Sequence, residues 1–229
     1  MTLPQLYPIP VLDPIPVLYP ILDASVFPAH PDARAAFLTR LGRELASTGL
    51  SLLEYRNKTA SDAEVLADAL LLRAALPSGQ VRLVMDDRTD VALAAGFDGV
   101  HVDAGDLPPA VARSLFNAAG RVGPIVGTSA STLDALALAL REPVDYISFG
   151  PIFPTTTKQT AAAPIGLAGV RSFRALAGPD ASLVAAAGIT LATAPEILAA
   201  GASSVAVSAA IFRSDQPAEE VRRWLIALA

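Results

Sequence analysis

Residues 144–158 read VDYISFGPIFPTTTK, and this stretch combines a predicted strand with a group of polar residues at its end. Its first six residues are typical of a short buried strand, which ends at a glycine and a proline. After Ile152, Phe153 and Pro154 come three threonines and Lys158. Hydroxyl groups and an ammonium group at the end of a strand suit a phosphorylated ligand, because they donate hydrogen bonds and supply positive charge. A polar loop that only meets solvent is the alternative for this stretch taken alone.

Short apolar strands alternate with helical patterns on both sides of this stretch. We predict strands over 18–23, 50–54, 81–85, 99–102, 125–127, 146–148, 183–186 and 205–207, and helices over 31–48, 61–75, 88–95, 108–118, 132–140, 166–176, 193–200 and 216–228. The strands are apolar on both faces, as parallel strands covered on both sides must be. Eight such units predict an α/β protein, a single-domain (β/α)8 TIM barrel. A doubly wound sheet is the alternative, but no Gly-x-Gly-x-x-Gly motif follows the first strand.

The ends of the chain and two of its helices carry local signals. Six of the first 20 residues are proline, which has no N–H to donate to a sheet. We therefore predict a proline-rich arm over residues 1–17 and a barrel domain over residues 18–229. Capping boxes are predicted at Ser61 with Glu64 and at Thr193 with Glu196, and Trp224 is predicted on the packed face of the last helix.

Composition narrows the class of protein. Hydrophobic residues make up 52% of the chain and charged residues 17%, which is typical of a globular protein. The net charge of −5 argues against broad nucleic-acid binding, and the absence of cysteine excludes disulfides and thiolate chemistry. We find no secretory signal and no apolar run long enough to span a membrane. A cytoplasmic protein that acts on small molecules is the expectation.

In a barrel, chemistry is found where the strands end. Polar or small residues follow almost every predicted strand: Glu54, Arg56 and Lys58 after the second; Asp86 and Asp87 after the third; His101, Asp103 and Asp106 after the fourth; Ser129 after the fifth; Thr155, Thr157 and Lys158 after the sixth; Gly188 after the seventh; Ser208 and Ala209 after the eighth.

These residue types predict a site for two phosphorylated ligands and a metal. Asp87 and Asp106 are candidate ligands for Mg²⁺, which prefers oxygen and keeps waters for substrate phosphates. Arg56, Lys58 and Lys158 are candidates to neutralise a diphosphate. The backbone near Gly188, Ser208 and Ala209 is a candidate phosphate site, because the loops after strands 7 and 8 of barrels commonly bind phosphate.

Each candidate has a purely structural alternative. Residues 86–88 are also consistent with a helix cap and a surface ion pair, and Asp106 with a helix cap. The basic residues after the second strand are also consistent with a solvated surface. His101 is better explained as a packed, hydrogen-bonded histidine than as a base. Ser129 has no histidine nearby in sequence, so no hydrolase triad is predicted.

Taken together, the motifs resemble those of the thiamine-phosphate synthase family over roughly residues 18–212. The most specific match is Gly150–Lys158, which is similar to Gly-Pro-Ile-Phe-x-Thr-x-Thr-Lys. Other matches are residues 54–58 to Gln-x-Arg-x-Lys, residues 86–90 to Asn-Asp-Arg-x-Asp, residues 99–108 to Gly-Val-His-Leu-Gly-Gln-x-Asp-Leu-Pro, and residues 127–129 to Gly-x-Ser.

The resemblance implies a Mg²⁺-dependent transferase and a homodimer. In this reaction an aminopyrimidine diphosphate loses pyrophosphate, and the nitrogen of a thiazole phosphate attacks the resulting cation to give thiamine phosphate. The implied catalytic residues are Ser129, Lys158, Arg56 and Lys58, and the implied metal ligands are Asp87 and Asp106. The implied substrate-binding residues are Glu54, Arg56, Lys58, Asp86, Ser129, Thr155, Thr157, Lys158, Gly188, Ser208 and Ala209.

The chain departs from the family pattern at the edges of the site. Glu54 replaces a glutamine, Asp86 replaces an asparagine, and Ala187 replaces the first of two glycines. A carboxylate in place of an amide repels an anionic substrate unless a cation or a proton compensates. Two other classes therefore stand beside the synthase: a thiazole tautomerase-like enzyme, and a non-catalytic protein that binds thiazole phosphate or thiamine phosphate.

Overall fold

The computed structural model describes residues 15–77, 79–155 and 162–229, and within them eight parallel strands close into one barrel. The strands are β1 (Leu18–Asp23), β2 (Leu52–Arg56), β3 (Arg82–Asp86), β4 (Gly99–Val102), β5 (Ile125–Ala130), β6 (Tyr146–Phe149), β7 (Leu183–Ala186) and β8 (Ser204–Val207). Each strand pairs with the next along the chain, and β8 pairs with β1. The predicted (β/α)8 architecture is confirmed.

Helices connect the strands on the outside of the barrel. They are α1 (Pro31–Ala46), α2 (Asp62–Ala75), α3 (Thr89–Ala95), α4 (Pro109–Ala118), α5 (Leu133–Ala139), α6 (Gly166–Ala177), α7 (Ala194–Ala199), α8 (Ala209–Phe212) and α9 (Pro217–Ala227). The four-residue helix α8 and a 3-10 turn at Ala24–Val26 were not predicted, because neither is long enough to show helical periodicity. No helix among the described residues has the length and apolar character needed to cross a bilayer.

The local signals had mixed outcomes. Ser61 and Glu64 form the predicted capping box of α2. The box predicted at Thr193 and Glu196 is wrong, because Thr193 already has helical backbone angles and its side chain hydrogen-bonds Thr190 instead of capping α7. Trp224 is 1% exposed, as predicted.

Two layers of apolar packing hold the barrel together. The outer layer lies between the strands and the helices, and the inner layer fills the barrel. Ile15, which lies at the end of the predicted arm, is buried in the inner layer, and residues 1–14 lie outside the described part of the chain. Burial of these apolar side chains drives folding, because it removes their surface from water.

Gly127 allows two neighbouring strands to pack closely inside the barrel. A Cβ atom at this position would lie 2.0 Å from the ring of Tyr146, so no larger residue fits unless the tyrosine moves. The Tyr146 ring therefore occupies the space above Gly127, which brings its hydroxyl group to the centre of the barrel.

Candidate functional site

Strand alternation delivers polar side chains to the carboxyl end of the barrel. Residues two apart on a strand share a face, and Leu52 and Val84 belong to the inner apolar layer. Glu54 and Asp86 follow them by two positions and are buried, with 3% and 7% of their surfaces exposed. The barrel thus changes from apolar at one end to acidic at the other.

The two described cations of the rim, Arg56 and Lys58, are both paired with carboxylates. Arg56 pairs with Asp23, and its Nε lies 3.5 Å from Asp86 Oδ2. Lys58 Nζ lies 2.8 Å from the same Asp86 oxygen and also pairs with Asp87. Asp86 therefore bridges the two cations. The alternative that these basic residues are merely solvated is wrong.

The outward-facing residues of the same segment fix its position. The Tyr55 hydroxyl donates to Asp68 of α2 at 2.6 Å, and Asn57 Nδ2 donates to the Tyr55 hydroxyl at 3.1 Å. Asp68 is 4% exposed and is also paired with Arg34 of α1. These contacts hold the end of β2 from behind while Arg56 faces the rim.

Asp87 and Asp106 lie close enough for their carboxyl groups to interact. The Asp106 carboxylate accepts from the backbone N of Asp103 at 2.8 Å, and it is not a helix cap, because α4 begins at Pro109. Partial burial and the neighbouring Asp87 carboxylate raise the pKa of Asp106. Asp87 has a left-handed backbone (φ 63°), and none of the described residues donates a hydrogen bond to its buried Oδ1.

This pair fits a divalent cation of the Mg²⁺ type. Such ions are commonly held by one or two carboxylates, with waters and substrate phosphates completing the shell. A buried carboxylate oxygen with no hydrogen-bond donor among the described residues, beside a second carboxylate, supplies that donor set. The described residues hold no cluster of three or more side chains that would form an all-protein metal cage.

Arg88 has a different role from its two acidic neighbours. It pairs with Asp62 and Asp90 on the surface. The structural alternative for residues 86–88 is therefore correct for the surface ion pair of Arg88. It is wrong for Asp86 and Asp87, which face Lys58 at the rim.

A chain of hydrogen bonds crosses the interior of the barrel beneath the rim. Tyr19 Oη donates to Glu54 Oε2 at 2.8 Å and lies 2.5 Å from Tyr146 Oη. Tyr146 Oη is 2.9 Å from His101 Nδ1, and His101 Nε2 is 2.9 Å from Ser129 Oγ. His101 is thus packed and hydrogen-bonded, as predicted, whereas Ser129 does have a histidine partner, which the spacing of 28 residues concealed.

This Ser–His contact is not a hydrolase triad. Asp103 Oδ1 approaches the same ring nitrogen, Nε2, at 3.4 Å, and the other nitrogen faces a tyrosine. In a triad the serine and the carboxylate contact opposite nitrogens of the histidine. Burial alone lowers the pKa of His101, but the hydrogen bond to Asp103 and the nearby Glu54 outweigh it, so the pKa is raised.

Burial also dominates the interior and bridging carboxylates. It raises the pKa of Glu54 to about 7, although His101 opposes the shift. Burial raises the pKa of Asp86 too, despite the proximity of Lys58. A buried carboxylate has lost its hydration, so the neutral form is favoured.

A cavity of about 350 Å³ opens beside Asp23 and Arg56, at the ends of β1, β7 and β8. Its lining includes four of the predicted phosphate-binding residues: Thr155, Gly188, Ser208 and Ala209. A smaller cavity of about 120 Å³ is lined by Ser129 and shares Thr155 and Ala187 with it. Ala187 has a left-handed backbone (φ 73°), which explains why glycine suits this position.

The structure brings most of the predicted residues to one rim. Glu54, Arg56, Lys58 and Asp86 form one connected group. Thr157 and Lys158 lie outside the described residues. Sequence reasoning assigned no role to Asp23, Tyr19 or Tyr146; their only signal was an inward register position on β1 or β6.

The fold and the rim define a class: a (β/α)8 barrel whose carboxyl end combines acidic residues, the paired cations Arg56 and Lys58, and a cavity at the ends of β7 and β8. Residues 18–211 match the model of the family described as thiamine monophosphate synthase. The chain belongs to this family.

Individual relatives agree with this assignment. The chain is 43% identical over 191 residues to the thiamine-phosphate synthase of Koribacter versatilis, covering 82% of this chain and 85% of that protein. It is 40% identical over 175 residues to that of Chloroflexus aurantiacus, covering 76% and 78%. The structure of thiamine phosphate pyrophosphorylase from Pyrococcus furiosus is similar, with a TM-score of 0.75, 27% identity, and 92% and 94% of the two chains covered.

Proposed function

We propose that this chain is a Mg²⁺-dependent thiamine-phosphate synthase. It would join an aminopyrimidine diphosphate to a thiazole phosphate, with release of pyrophosphate. The observation that carries the proposal is the rim itself, where Asp87 and Asp106 lie together beside Lys58 and Arg56 in a chain of this family.

Arg56 and Lys58 would bind the diphosphate as it leaves. Both already face the rim, because carboxylates hold them there before any substrate arrives. A guanidinium and an ammonium group stabilise negative charge most strongly where water is excluded and the groups need no reorganisation. Lys158, which lies outside the described residues, would add a third cation.

Asp87 and Asp106 would hold the metal, which when bound neutralises charge on the leaving diphosphate. Support for the metal comes from the excess of carboxylates over cations at the described rim. Without a further positive charge, Asp86, Asp87 and Asp106 would repel a diphosphate.

Thr155, Gly188, Ser208 and Ala209 would bind the phosphate of the thiazole partner in the 350 Å³ cavity. Ser129, in the adjoining cavity, would hydrogen-bond the pyrophosphate or the reacting region. Holding two substrates side by side replaces a collision in solution with a local step, which supplies much of the rate.

The test is a coupled assay with purified protein, both substrates and Mg²⁺, with product detected as thiochrome. Product that disappears with EDTA is expected. Arg56→Ala should lower kcat/KM about 100-fold, because one charge-stabilising donor is lost. Arg40→Ala is the matched control, since Arg40 is exposed on α1. Absence of product with tight binding of thiazole phosphate would favour the non-catalytic alternative.

The resemblance also leads us to propose a homodimer in the cytoplasm. Light scattering on the purified protein tests the homodimer, and a monomer at micromolar concentration would contradict it. Fractionation of cells tests the cytoplasmic location.

A further inference from the structure

Among the residues that the structure describes, Glu54 is a buried carboxyl group without an ion-pair partner. It is 3% exposed, and no basic side chain in the described ranges forms an ion pair with it, because Arg56 and Lys58 are taken by Asp23, Asp86 and Asp87. Its hydrogen bond comes from a neutral hydroxyl group, that of Tyr19. An isolated buried charge is costly, so such a group tends to take up a proton.

The groups that face Glu54 come from five strands of the barrel. They are Tyr19 on β1, Arg56 on β2, Asp86 on β3, His101 on β4 and Tyr146 on β6. Burial is the largest influence on Glu54, and Asp86 acts in the same direction, whereas His101 and Arg56 oppose it; the balance raises the pKa of Glu54.

The two tyrosines that adjoin Glu54 remain neutral. Burial and the nearby Glu54 carboxylate raise the pKa of both Tyr19 and Tyr146 well above 10. A neutral hydroxyl group both donates and accepts a hydrogen bond. The tyrosine pair can therefore pass a proton along without holding a charge.

We propose that Glu54 is held as a neutral, protonated carboxylic acid. Its proton arrives from the 120 Å³ cavity along the hydrogen-bonded chain formed by Ser129, His101, Tyr146 and Tyr19. The Ser129 end is the entrance, because Ser129 lines the 120 Å³ cavity. The proton on Glu54 removes one buried negative charge next to the place where the diphosphate binds. That consequence rests on the proposed function, but the proton itself can be measured without it.

The transfer balances atom by atom. With Glu54 ionised, Ser129 donates to His101 Nε2, Nδ1–H donates to Tyr146, Tyr146 donates to Tyr19, and Tyr19 donates to Glu54. Ser129 then gives its hydroxyl proton to Nε2 and takes up one proton from water in the 120 Å³ cavity, and Nδ1, Tyr146 and Tyr19 each pass one proton forward. The result is a Glu54 acid, a neutral His101 protonated at Nε2, and the same contacts with every hydrogen bond reversed.

Infrared spectroscopy of the full-length protein tests the proton on Glu54 directly. We expect a carboxylic-acid C=O band at pH 6 that is lost by pH 9 and is absent in Glu54→Gln. Glu142→Gln is the control, because Glu142 is exposed in the loop before β6, at the opposite end of the barrel. Absence of a band specific to Glu54 at pH 6 would overturn the proposal, whether or not the protein turns substrate over.

Tyr146→Phe tests the delivery path, since it keeps the ring over Gly127 and removes only the hydroxyl group. We expect this variant to lose the fast exchange of the acid band when the solvent is changed to D2O. Exchange as fast as in the unmodified protein would refute the path.

A binding measurement tests the consequence for the substrate site. We divide the pyrophosphate affinity of Glu54→Gln by that of the unmodified protein, both measured with Mg²⁺ at the same pH. The protonation of pyrophosphate itself affects both affinities equally and drops out of this ratio. This ratio should rise by roughly tenfold between pH 6 and pH 9, as a buried charge appears only in the unmodified protein. A constant ratio would show that the proton on Glu54 does not affect anion binding.

Discussion

Replacing Asp86 with asparagine should tighten pyrophosphate binding. The Asp86 carboxylate lies 2.8 Å from Lys58 Nζ and 3.5 Å from Arg56 Nε, so it competes with a diphosphate for both cations. Asparagine has nearly the same shape and keeps one acceptor oxygen, so the substitution changes the charge while leaving the packing intact.

The size of the effect follows from the geometry. Two unit charges about 4 Å apart interact by about 4 kcal/mol at an effective dielectric constant of 20. The Lys58 side chain is 35% exposed, so water and salt screen part of this interaction. Halving the value for screening leaves about 2 kcal/mol, which corresponds to roughly 30-fold tighter binding.

Calorimetric titration of pyrophosphate in the presence of Mg²⁺ measures this gain. Asp90→Asn is the control, because Asp90 pairs with Arg88 on the surface and should leave the affinity unchanged. The gain should shrink at high salt, since screening weakens partly exposed pairs. Equal or weaker binding by Asp86→Asn would refute the view that Asp86 occupies the diphosphate cations.

Three further changes test other parts of the site. Mg²⁺ alone, at 100 times its Kd, should stabilise the unmodified protein by about 2.7 kcal/mol, which is measured as a rise in melting temperature. The double variant Asp87→Asn, Asp106→Asn should show no rise, and an equal rise in both proteins would exclude the two aspartates as ligands. Ala187→Gly should stabilise the fold by about 0.5–1 kcal/mol in urea denaturation, because it removes the left-handed strain of alanine but adds freedom to the unfolded chain; a loss of stability would contradict the strain. Folding raises the pKa of Glu54 from 4.5 to about 7, so the folded state favours its protonated form. The stability that this proton contributes is fully present below pH 4.5 and is lost as the pH rises through 7. Glu54→Gln should remove this pH-dependent loss of about 3 kcal/mol in the free energy of unfolding, and equal pH profiles of unfolding for the two proteins would refute the shift.

The sequence predicts the barrel well, because residues that end helices or form turns separate the strands, and their effect is local. Gly96 is an example: it ends α3 with a left-handed backbone, as the pattern of the preceding helix predicts. Strand ends are less certain, since β2 covers Leu52–Arg56 rather than residues 50–54. Barrel closure, not local propensity, decides which residues of that segment pair with β1 and β3.

The rim is predictable where charged residues follow strands directly, as with Asp86, Asp87 and Lys58. The interior chain is not, because tyrosine at an inward position is equally typical of an apolar core. Tyr19 and Tyr146 are 127 residues apart, and their hydroxyl groups meet only once β1 and β6 share a closed barrel. The same distance effect hid the contact between His101 and Ser129.

The close contact between Gly127 and Tyr146 restricts the order in which this barrel could have diverged. A larger residue at 127 has no room while the tyrosine ring is in place. Any lineage that acquires a side chain there must first have shortened the residue at 146, and with it the hydroxyl group that links Tyr19 to His101. Positions 127 and 146 should therefore covary among descendants, with glycine retained wherever the tyrosine persists.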